Sequence, residues 1–330
     1  MSEIRFNFVT GDWVIIAPER SKRPEDFTSA KKKEAVPGYV PTCPFCPGNE
    51  DQTPEETFRI SNNGQWTVRS TLNKFSALTP GYDIVRHVMG FKKFMTGFGI
   101  HEVIIETQQH NMPTAFLPAS HVGEIIYSYR NRFLDFYKND EIKHVIVFKN
   151  HGLRAGTSLQ HPHSQIVGTP VIPGQVKGRI EEALRYYDDF GECLYCWYMK
   201  EEQREMTRVV SENKSFVVFI PYAALSPFHI WIFPKRHNGC FGYITDAEIS
   251  DLADILKDTL LRLYHGLSDP DLNYVIRSLS PQENAVRYFH WYLSIVARVT
   301  RTAGFEMGTG MYINPSLPDN SARFLRDVQF

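Results

Sequence analysis

The sequence predicts an α+β fold built from two similar halves, with helices flanking a mainly antiparallel sheet. Short runs of β-branched and aromatic residues alternate with two longer stretches that repeat apolar residues at helical spacing. These stretches fall between strand-like runs, which favours helices on one side of an antiparallel sheet. The order of parts also recurs, since two histidines are similarly spaced in each half, 51 residues apart at His110 and His161 and 53 apart at His237 and His290. We interpret this as an internal duplication with halves at 1–173 and 174–330.

In the first half, four strands and one long helix are predicted. The strands lie at 13–18, 66–70, 102–106 and 144–149. A helix is predicted at 119–139, because apolar residues recur there at Val122, Ile125, Ile126, Tyr129, Phe133 and Phe136. Ser120 is its expected N-cap.

The second half repeats this plan. Helices are predicted at 176–189 and at 246–266, the latter with an apolar stripe and Asp246 as its cap. The strands are predicted at 216–220, 229–233, 272–276 and 291–296, and a short helix should end the chain. The pattern leaves open whether the strands form one sheet or two.

Composition excludes several classes of protein. The 330 residues are 42% apolar and 22% charged, with a net charge of −1, as in an ordinary globular protein. No global positive field favours nucleic acid or an anionic membrane. No apolar run approaches the roughly 20 residues that span a bilayer, and the first residues do not resemble a signal peptide. We expect a cytoplasmic protein without nucleic-acid or membrane partners.

Four of the five cysteines form two C-x-x-C pairs, at 43–46 and 193–196. In a reducing compartment such pairs indicate metal ligation before disulfides. Together with the repeated histidines they predict two tetrahedral sites suited to structural Zn²⁺, one at Cys43, Cys46, His110 and His161 and the other at Cys193, Cys196, His237 and His290. Four histidines compete for these roles: His87, His101, His121 and His229.

Residues 160–167, Gln-His-Pro-His-Ser-Gln-Ile-Val, carry the chemistry. In a strand, His161, His163 and Gln165 share one face, and Ser164 takes the other face with Pro162. Because proline has no N–H, the strand should be an edge or irregular where the motif sits. The preceding turn at 152–158 is rich in small residues and suits phosphate binding.

The two halves differ at the second position of this motif. His161 corresponds to His290, whereas His163 corresponds to Tyr292. The shared histidine should therefore be structural and the unshared one catalytic, as a nucleophile toward phosphorus. It needs one ring nitrogen held by an acceptor, for which a carbonyl of the glycine turn is a candidate. Donors for the phosphate oxygens could come from Gln165, Ser158 and Ser164. A metal ligand or a general base for hydrolysis is the alternative role for His163.

Together, 161–165 (His-Pro-His-Ser-Gln), the glycine turn and the first C-x-x-C resemble the galactose-1-phosphate uridylyltransferase family of the histidine-triad superfamily. The resemblance spans the whole chain. It implies two histidine-triad-like halves, zinc at the first cluster, a homodimer, and a ping-pong reaction with a nucleotidyl-His163 intermediate. UDP-glucose would be the donor and galactose 1-phosphate the acceptor. The resemblance also implies substrate-binding roles for Arg23, Asn73, Asn150 and Glu306.

Some residues depart from the commoner family pattern. Lys74 follows Asn73 where an aspartate is usual, Ser164 replaces a glycine, and the second half keeps Cys193 and Cys196. These features resemble the branch that includes plant ADP-glucose phosphorylase, which implies adenylyl transfer to phosphate. Three hypotheses follow, namely a nucleotidyltransferase (uridylyl first, adenylyl second), a nucleotide hydrolase, and a non-catalytic zinc-stabilised nucleotide-binding protein.

Overall fold

The computed structural model describes residues 1–20, 27 and 36–330. In these residues the strands are, in chain order, β1 (Glu3–Asn7), β2 (Asp12–Ile16), β3 (Glu56–Asn62), β4 (Gln65–Leu72), β5 (Arg86–Met89), β6 (Lys92–Met95), β7 (Ile100–Ile105), β8 (His144–His151), β9 (His163–Thr169), β10 (Val209–Glu212), β11 (Phe216–Phe219), β12 (His229–Pro234), β13 (Leu272–Arg277), β14 (Tyr292–Ala297) and β15 (Tyr312–Asn314). The helices are α1 (Ala119–Phe136), α2 (Gly174–Phe190), α3 (Leu194–Glu205), α4 (Asp246–Leu267), α5 (Gly304–Thr309) and α6 (Pro318–Asp327).

One ten-stranded sheet dominates the fold, in the order β10-β11-β12-β14-β13-β8-β9-β7-β4-β3. Every neighbouring pair in it is antiparallel. The order is mirrored about the β13–β8 junction, where Asn273 pairs with Asn150. Both halves therefore contribute five strands to one continuous sheet, and the predicted α+β fold with an antiparallel sheet is confirmed.

Helices α1 and α4 cover one face of this sheet and form the largest apolar core. The predicted apolar stripe of α1 is buried at all six positions, and that of α4 is buried as well: Ile249, Leu252, Ile255, Leu256, Leu260 and Leu263. Burying such side chains contributes about 1.5–3 kcal/mol each. The opposite face is covered by α2 and α3 in the second half, and by the loop around Phe45 in the first half.

Both predicted helix caps are wrong. Helix α1 begins after Pro118, so Ser120 lies inside its first turn. Helix α4 begins with a capping box, in which Thr245 Oγ1 accepts from the Glu248 N–H and the Glu248 carboxylate accepts from the Thr245 N–H. Thr245 and Glu248 thereby satisfy two N–H donors that would otherwise be unpaired. Asp246 lies one position further along the chain and cannot form this pair of hydrogen bonds.

The motif strand is also placed differently from the prediction. Strand β9 lies inside the sheet, between β8 and β7, rather than at an edge. It begins at His163, so Pro162 lies just before the ladder and its missing N–H costs no strand hydrogen bond. The Pro162 carbonyl accepts from the Glu106 N–H at 3.1 Å. Proline thus marks where the strand begins.

Three further strands, β1, β2 and β15, form a separate small sheet, in which β15 runs parallel to β2. Strands β5 and β6 form an isolated hairpin. Among the described residues, no helix combines the length and the apolar character needed to cross a membrane.

Candidate active site and metal clusters

The first Cys/His cluster gathers four side chains from distant parts of the chain. Cys43 and Cys46 lie in a tight turn, where the Cys46 N–H donates to the Cys43 carbonyl. His110 follows β7 and His161 precedes β9. All four residues are buried, and their ligand atoms lie within 4.8 Å of one another. The structure thus assembles the predicted first set.

The donor geometry of this cluster fits a tetrahedral metal ion. Cys46 Sγ lies 3.5 Å from His110 Nδ1 and 3.7 Å from His161 Nδ1, close to the spacing of about 3.6 Å expected between S and N ligands of one Zn²⁺. His161 Nε2 donates to the Thr107 carbonyl at 2.7 Å, so Nδ1 remains for the metal. Burial lowers the pKa of His161 to about 4, which keeps the ring neutral as ligation requires.

The second cluster is built from equivalent positions. Cys193 is the N-cap of α3 and Cys196 lies in its first turn. Cys196 Sγ lies 3.3 Å from both His237 Nδ1 and His290 Nδ1. The four ligand atoms again lie within 4.8 Å of one another, with Cys196 less buried than its partners. Both clusters could therefore hold a metal ion.

The competing histidines lie in neither cluster. His87 is exposed on the β5–β6 hairpin and stacks on Phe94. His121 donates from Nε2 to the Glu106 carbonyl. His101 and His229 lie in the sheet and contact Gln165 and Ser294, respectively.

The backbone holds one ring nitrogen of His163 and leaves the other free. It is the first residue of β9 and only 6% exposed. Its Nδ1 lies 2.8 Å from the His161 carbonyl, which can only accept, so Nδ1 carries the proton and Nε2 the lone pair. The suggestion of a glycine-turn carbonyl is therefore wrong. Since the carbonyl belongs to His161, a cluster residue directly positions the ring.

The electrostatic surroundings keep His163 neutral. Burial beside the ring of Phe45, 5.4 Å away, is the main cause that lowers its pKa. The ammonium of Lys149 acts in the same direction. The hydrogen bond to the His161 carbonyl and the carboxylate of Glu106 oppose this shift but do not reverse it. A neutral imidazole is the form that can act as a nucleophile.

A buried polar network lies behind the motif, on the helix-covered face. Ser164 Oγ donates to the carboxylate of Glu106, and Tyr129 of α1 donates to the same group at 3.2 Å. Lys149 Nζ donates to Glu106 Oε2 at 2.6 Å and to the His163 carbonyl at 3.2 Å. Burial alone would raise the pKa of Glu106, but Lys149 and the hydroxyl donors lower it. Ser164 is therefore not a phosphate donor on the His163 face.

Gln165 lies one position beyond Ser164 on the same side of β9 as His163. Its Oε1 lies 2.8 Å from His101 Nε2, so the amide oxygen is held and the NH₂ group remains as the donor. Asn73, just after β4, lies 3.0 Å from the same ring nitrogen. His101 thus links Asn73 to Gln165, a connection that the sequence analysis did not identify.

Asn150 and Ser158 flank the glycine turn. Lys149 pairs with Ser164 across β8 and β9, so the next residue, Asn150, lies beside His163. Its Oδ1 accepts from Asn273 at 2.7 Å, and Ser158 is exposed at the end of the turn. Gly152 has φ +85°, and a Cβ there would lie 2.0 Å from Asp271 Oδ1. Only glycine allows this turn.

One predicted substrate residue, Glu306, does not join this group in the described part of the chain. Glu306, in α5, accepts from the Ala303 N–H and lines a cavity of the second half whose lining does not include His163 or Gln165. Arg23 lies outside the described residues.

Sequence reasoning missed Glu106 and Lys149. A signal was available, because each is a charged residue at the end of a predicted strand whose interior is apolar. Fully buried Lys and Glu are rare unless paired, so these two strands could have been predicted to be neighbours of the motif strand.

Similarity to known proteins extends along nearly the whole chain. The family model for the N-terminal domain of galactose-1-phosphate uridyl transferase matches residues 1–173, and that for its C-terminal domain matches residues 179–310. ADP-glucose phosphorylase of Arabidopsis thaliana is 35% identical over 99% of this chain and 93% of its own length. Galactose-1-phosphate uridylyltransferase of Thermotoga maritima is 26% identical over 100% of this chain and 99% of its own.

Solved structures of an ADP-glucose phosphorylase and a uridylyltransferase are also similar to this chain. The crystal structure of Arabidopsis thaliana ADP-glucose phosphorylase with bound ADP-glucose matches with a TM-score of 0.85 and 32% identity, covering 100% of this chain and 99% of that one. A uridylyltransferase structure matches with a TM-score of 0.76 and 25% identity, covering 99% of this chain and 97% of that one.

Proposed function

We propose that this chain, which belongs to the galactose-1-phosphate uridyl transferase family, transfers a nucleotidyl group through a covalent bond to His163 Nε2. The observation that carries the proposal is the hydrogen bond between His163 Nδ1 and the His161 carbonyl. It fixes the tautomer and presents Nε2 as the lone-pair nitrogen of a neutral ring. The substrates are then a nucleotide sugar and a sugar phosphate or phosphate.

The reaction has two balanced steps. In the first, His163 Nε2 attacks the α-phosphorus of the nucleotide sugar, the bond to the bridging oxygen breaks, and hexose 1-phosphate leaves. In the second, an oxygen of the acceptor phosphate attacks the same phosphorus and the P–N bond breaks, which regenerates the imidazole. The ring gains positive charge while it is nucleotidylated, and the His161 carbonyl stabilises that charge through Nδ1–H.

Two further groups support the transfer in this proposal. Gln165 uses its free NH₂ to bind a non-bridging phosphoryl oxygen, while His101 holds its amide oxygen. Lys149 donates to the His163 carbonyl from the opposite face and so fixes the backbone under the nucleophile. Asn150 and Ser158 lie on the side from which the phosphates would approach, and Asn73 lies beside His101.

The metal clusters have a structural role in this proposal. With two thiolates and two imidazoles, each cluster would bind Zn²⁺ through four protein ligands and leave no position open for substrate. In the first cluster this ligation holds His161, and through its carbonyl it holds His163. We assign the nucleophile and the first cluster to an N-terminal unit at 1–173, and the second cluster to a C-terminal unit at 174–330.

Two donors fit the proposal. The uridylyl reading follows from the family models and predicts UDP-glucose with galactose 1-phosphate. The adenylyl reading predicts ADP-glucose with inorganic phosphate, and one observation favours it. A relative named ADP-glucose phosphorylase is 35% identical, against 26% for the uridylyltransferase of Thermotoga maritima. Both donors must therefore be tested.

A labelling experiment distinguishes these readings. The protein is incubated with UDP-glucose or ADP-glucose, each radiolabelled at the α-phosphorus, without acceptor, and quenched in base. We expect label on the wild type and on His87→Ala, an exposed histidine control, but none on His163→Ala. The labelled protein is then chased with galactose 1-phosphate or inorganic phosphate to identify the acceptor. Absence of label with both donors, or equal labelling of His163→Ala, would contradict the proposal.

The same experiment tests the hydrolase alternative. Steady release of nucleoside monophosphate without any acceptor would identify water as the acceptor. We further propose a homodimer, from the family relationship, and a cytoplasmic location, because two clusters of free thiols require a reducing compartment.

A further inference from the structure

The second half contains a cavity of about 490 Å³ on the face of β12, β14 and β13. Its lining includes Arg179, His229, Arg277, Tyr292 and Ser294. This volume lies in the range of small-molecule sites. Neither His163 nor Gln165 lines this cavity.

Strand register shows that the cavity corresponds to the active-site face of the first half. His101 pairs with Val167 on β9, and His229 pairs with Val296 on β14. Each of these histidines also binds the side chain two residues earlier on the neighbouring strand, Gln165 at 2.8 Å in the first half and Ser294 at 2.9 Å in the second. The first-half nucleophile has Tyr292 as its counterpart.

The tautomer of His229 leaves an unpaired donor in this cavity. Trp231 Nε1 lies 3.1 Å from His229 Nε2, and an indole N–H can only donate, so Nε2 is the unprotonated acceptor. Burial strongly lowers the pKa of His229, to about 3, so the ring is neutral and its proton is on Nδ1. His229 is buried, and Nδ1 has no hydrogen-bond partner among the described residues. A buried unpaired donor is destabilising unless a ligand accepts from it.

Two guanidinium groups share this property. The Nε atoms of Arg179 and Arg277 are buried and have no hydrogen-bond partner in the described part of the chain. No carboxylate of the described residues forms a salt bridge with either arginine. Two carboxylates, Asp12 and Glu306, also line the cavity, and Asp12 attracts Arg179. Four arginines line it in all, so positive charge remains in excess. The unpaired nitrogens are all donors, which indicates an anionic occupant.

We propose that this cavity binds the phosphoryl group of a small phosphorylated metabolite, of sugar-phosphate or nucleotide size, and holds it without reaction. Arg179, Arg277 and His229 Nδ1 donate to the phosphoryl oxygens. No transfer follows, because a tyrosine stands where the first half has its nucleophile. The inference rests on the geometry of the second half and is independent of the proposed function.

Equilibrium dialysis on the full chain tests this inference. The double variant His163→Ala/Gln165→Ala removes the phosphate-reactive groups of the first half, and labelled inorganic phosphate, glucose 1-phosphate and AMP are the probes. We expect saturable binding of one probe molecule per chain. Adding Arg179→Gln should weaken it at least about 10-fold, since one charge-assisted hydrogen bond is lost. Arg185→Gln, an exposed arginine on the same helix, should leave it unchanged.

The arms of this experiment separate the possible ligands. Tighter binding of AMP or glucose 1-phosphate than of inorganic phosphate would support the proposal, whereas equal affinity for all three probes would show a free-phosphate site and overturn the proposed ligand size. Arg277→Gln should weaken binding as Arg179→Gln does, and circular dichroism checks that each variant is folded. If Arg277→Gln does not fold, the inference is tested by comparing probe binding between Arg179→Gln and Arg185→Gln. Absence of saturable binding, or equal binding by this pair, would overturn the inference.

Discussion

Strands β9 and β14 occupy mirrored positions in one sheet, but the groups beneath them differ in polarity. Below β9, the cross-strand pair Lys149 and Ser164 is polar and joins Glu106. The equivalent pair below β14 is Ile276 and Leu293, both buried in hydrocarbon. Both halves therefore contain a Cys/His cluster, whereas the Lys149–Glu106 pair lies only beneath the strand that carries the proposed nucleophile.

This difference shows how one fold can separate stability from chemistry. Each half has a Cys/His cluster that could hold a metal ion and a long helix that covers the same face of the sheet. The first half has a buried ion pair directly behind its motif strand, and such a pair is costly to desolvate and is often no more stabilising than packed hydrocarbon. We interpret that pair as a cost of holding the His163 backbone in place.

The largest expected effect is at the nucleophile. His163→Ala should reduce nucleotidyl transfer by about 10⁴-fold or more, because an enzyme without its nucleophile retains only binding and electrostatic catalysis. The melting temperature should stay close to that of the wild type. Steady-state rates with both donors measure the effect. His87→Ala serves as the matched control and should retain full activity. A loss of less than about 10-fold would mean that another group attacks phosphorus.

We expect metal ligation to stabilise both halves but to affect the rate of nucleotidyl transfer only in the first half. Cys46→Ser and Cys196→Ser should each remove one bound metal ion and lower the melting temperature, because structural metal binding contributes folding free energy. Only Cys46→Ser should also reduce the labelling rate of protein that remains folded, since its cluster holds His161. Metal analysis, calorimetry and labelling rates measure this. An equal loss of labelling rate in both variants would show that the two clusters do not differ in their effect on nucleotidyl transfer.

Breaking the buried ion pair should cost about 3–5 kcal/mol of unfolding free energy. Lys149→Met leaves the carboxylate of Glu106 buried without its cation. Chemical denaturation measures the loss. The double variant Lys149→Met/Glu106→Gln should recover part of the stability but not the transfer rate, because the donor to the His163 carbonyl is still missing. Full recovery of rate in the double variant would show that the network is only structural.

A smaller loss is expected at the phosphoryl contact. Gln165→Ala should lower kcat by about 10²-fold, as for loss of one oxyanion-type donor, and leave stability nearly unchanged. Gln203→Ala, on α3 and bound to Glu212, is the matched control. Single-turnover labelling separates the chemical step from binding. An increase in KM with unchanged kcat would assign Gln165 to ground-state binding instead.

The smallest expected effect is at the apolar pair beneath β14. Ile276→Val below β14 should cost about 0.5–1.5 kcal/mol, the usual range for removing one buried methyl group. The labelling rate at His163 should not change. Denaturation and labelling of this variant together check whether the second half contributes packing alone at this position.

Much of the framework could be predicted because it depends on periodic burial and on repeated ligand types. The helical stripe of α1 and the two Cys/His sets follow directly from spacing. The single continuous sheet could not be predicted, since the pairing of β8 with β13 joins strands from different halves. Nothing local in either strand encodes that partner.

The remaining errors have local physical causes. Ser120 and Asp246 are acceptable cap residues, but the N-cap positions of the two helices are Pro118 and Thr245. The proline of the motif suggested a strand that is at an edge or irregular there. The edge position is wrong, and the ladder instead begins one residue after the proline. The Glu106 network depends on which strands are neighbours, so its members became recognisable only with the sheet order.

Peptide mapping by mass spectrometry tests the central claim most directly. The protein is incubated with ADP-glucose or UDP-glucose without acceptor, digested under basic conditions, and searched for nucleotidylated peptides. We predict one nucleotidyl group per chain, on the peptide that contains His163, and none on the peptide that contains His290. A modification elsewhere, or no covalent adduct with either donor, would contradict the assignment of one half to chemistry and the other to structure.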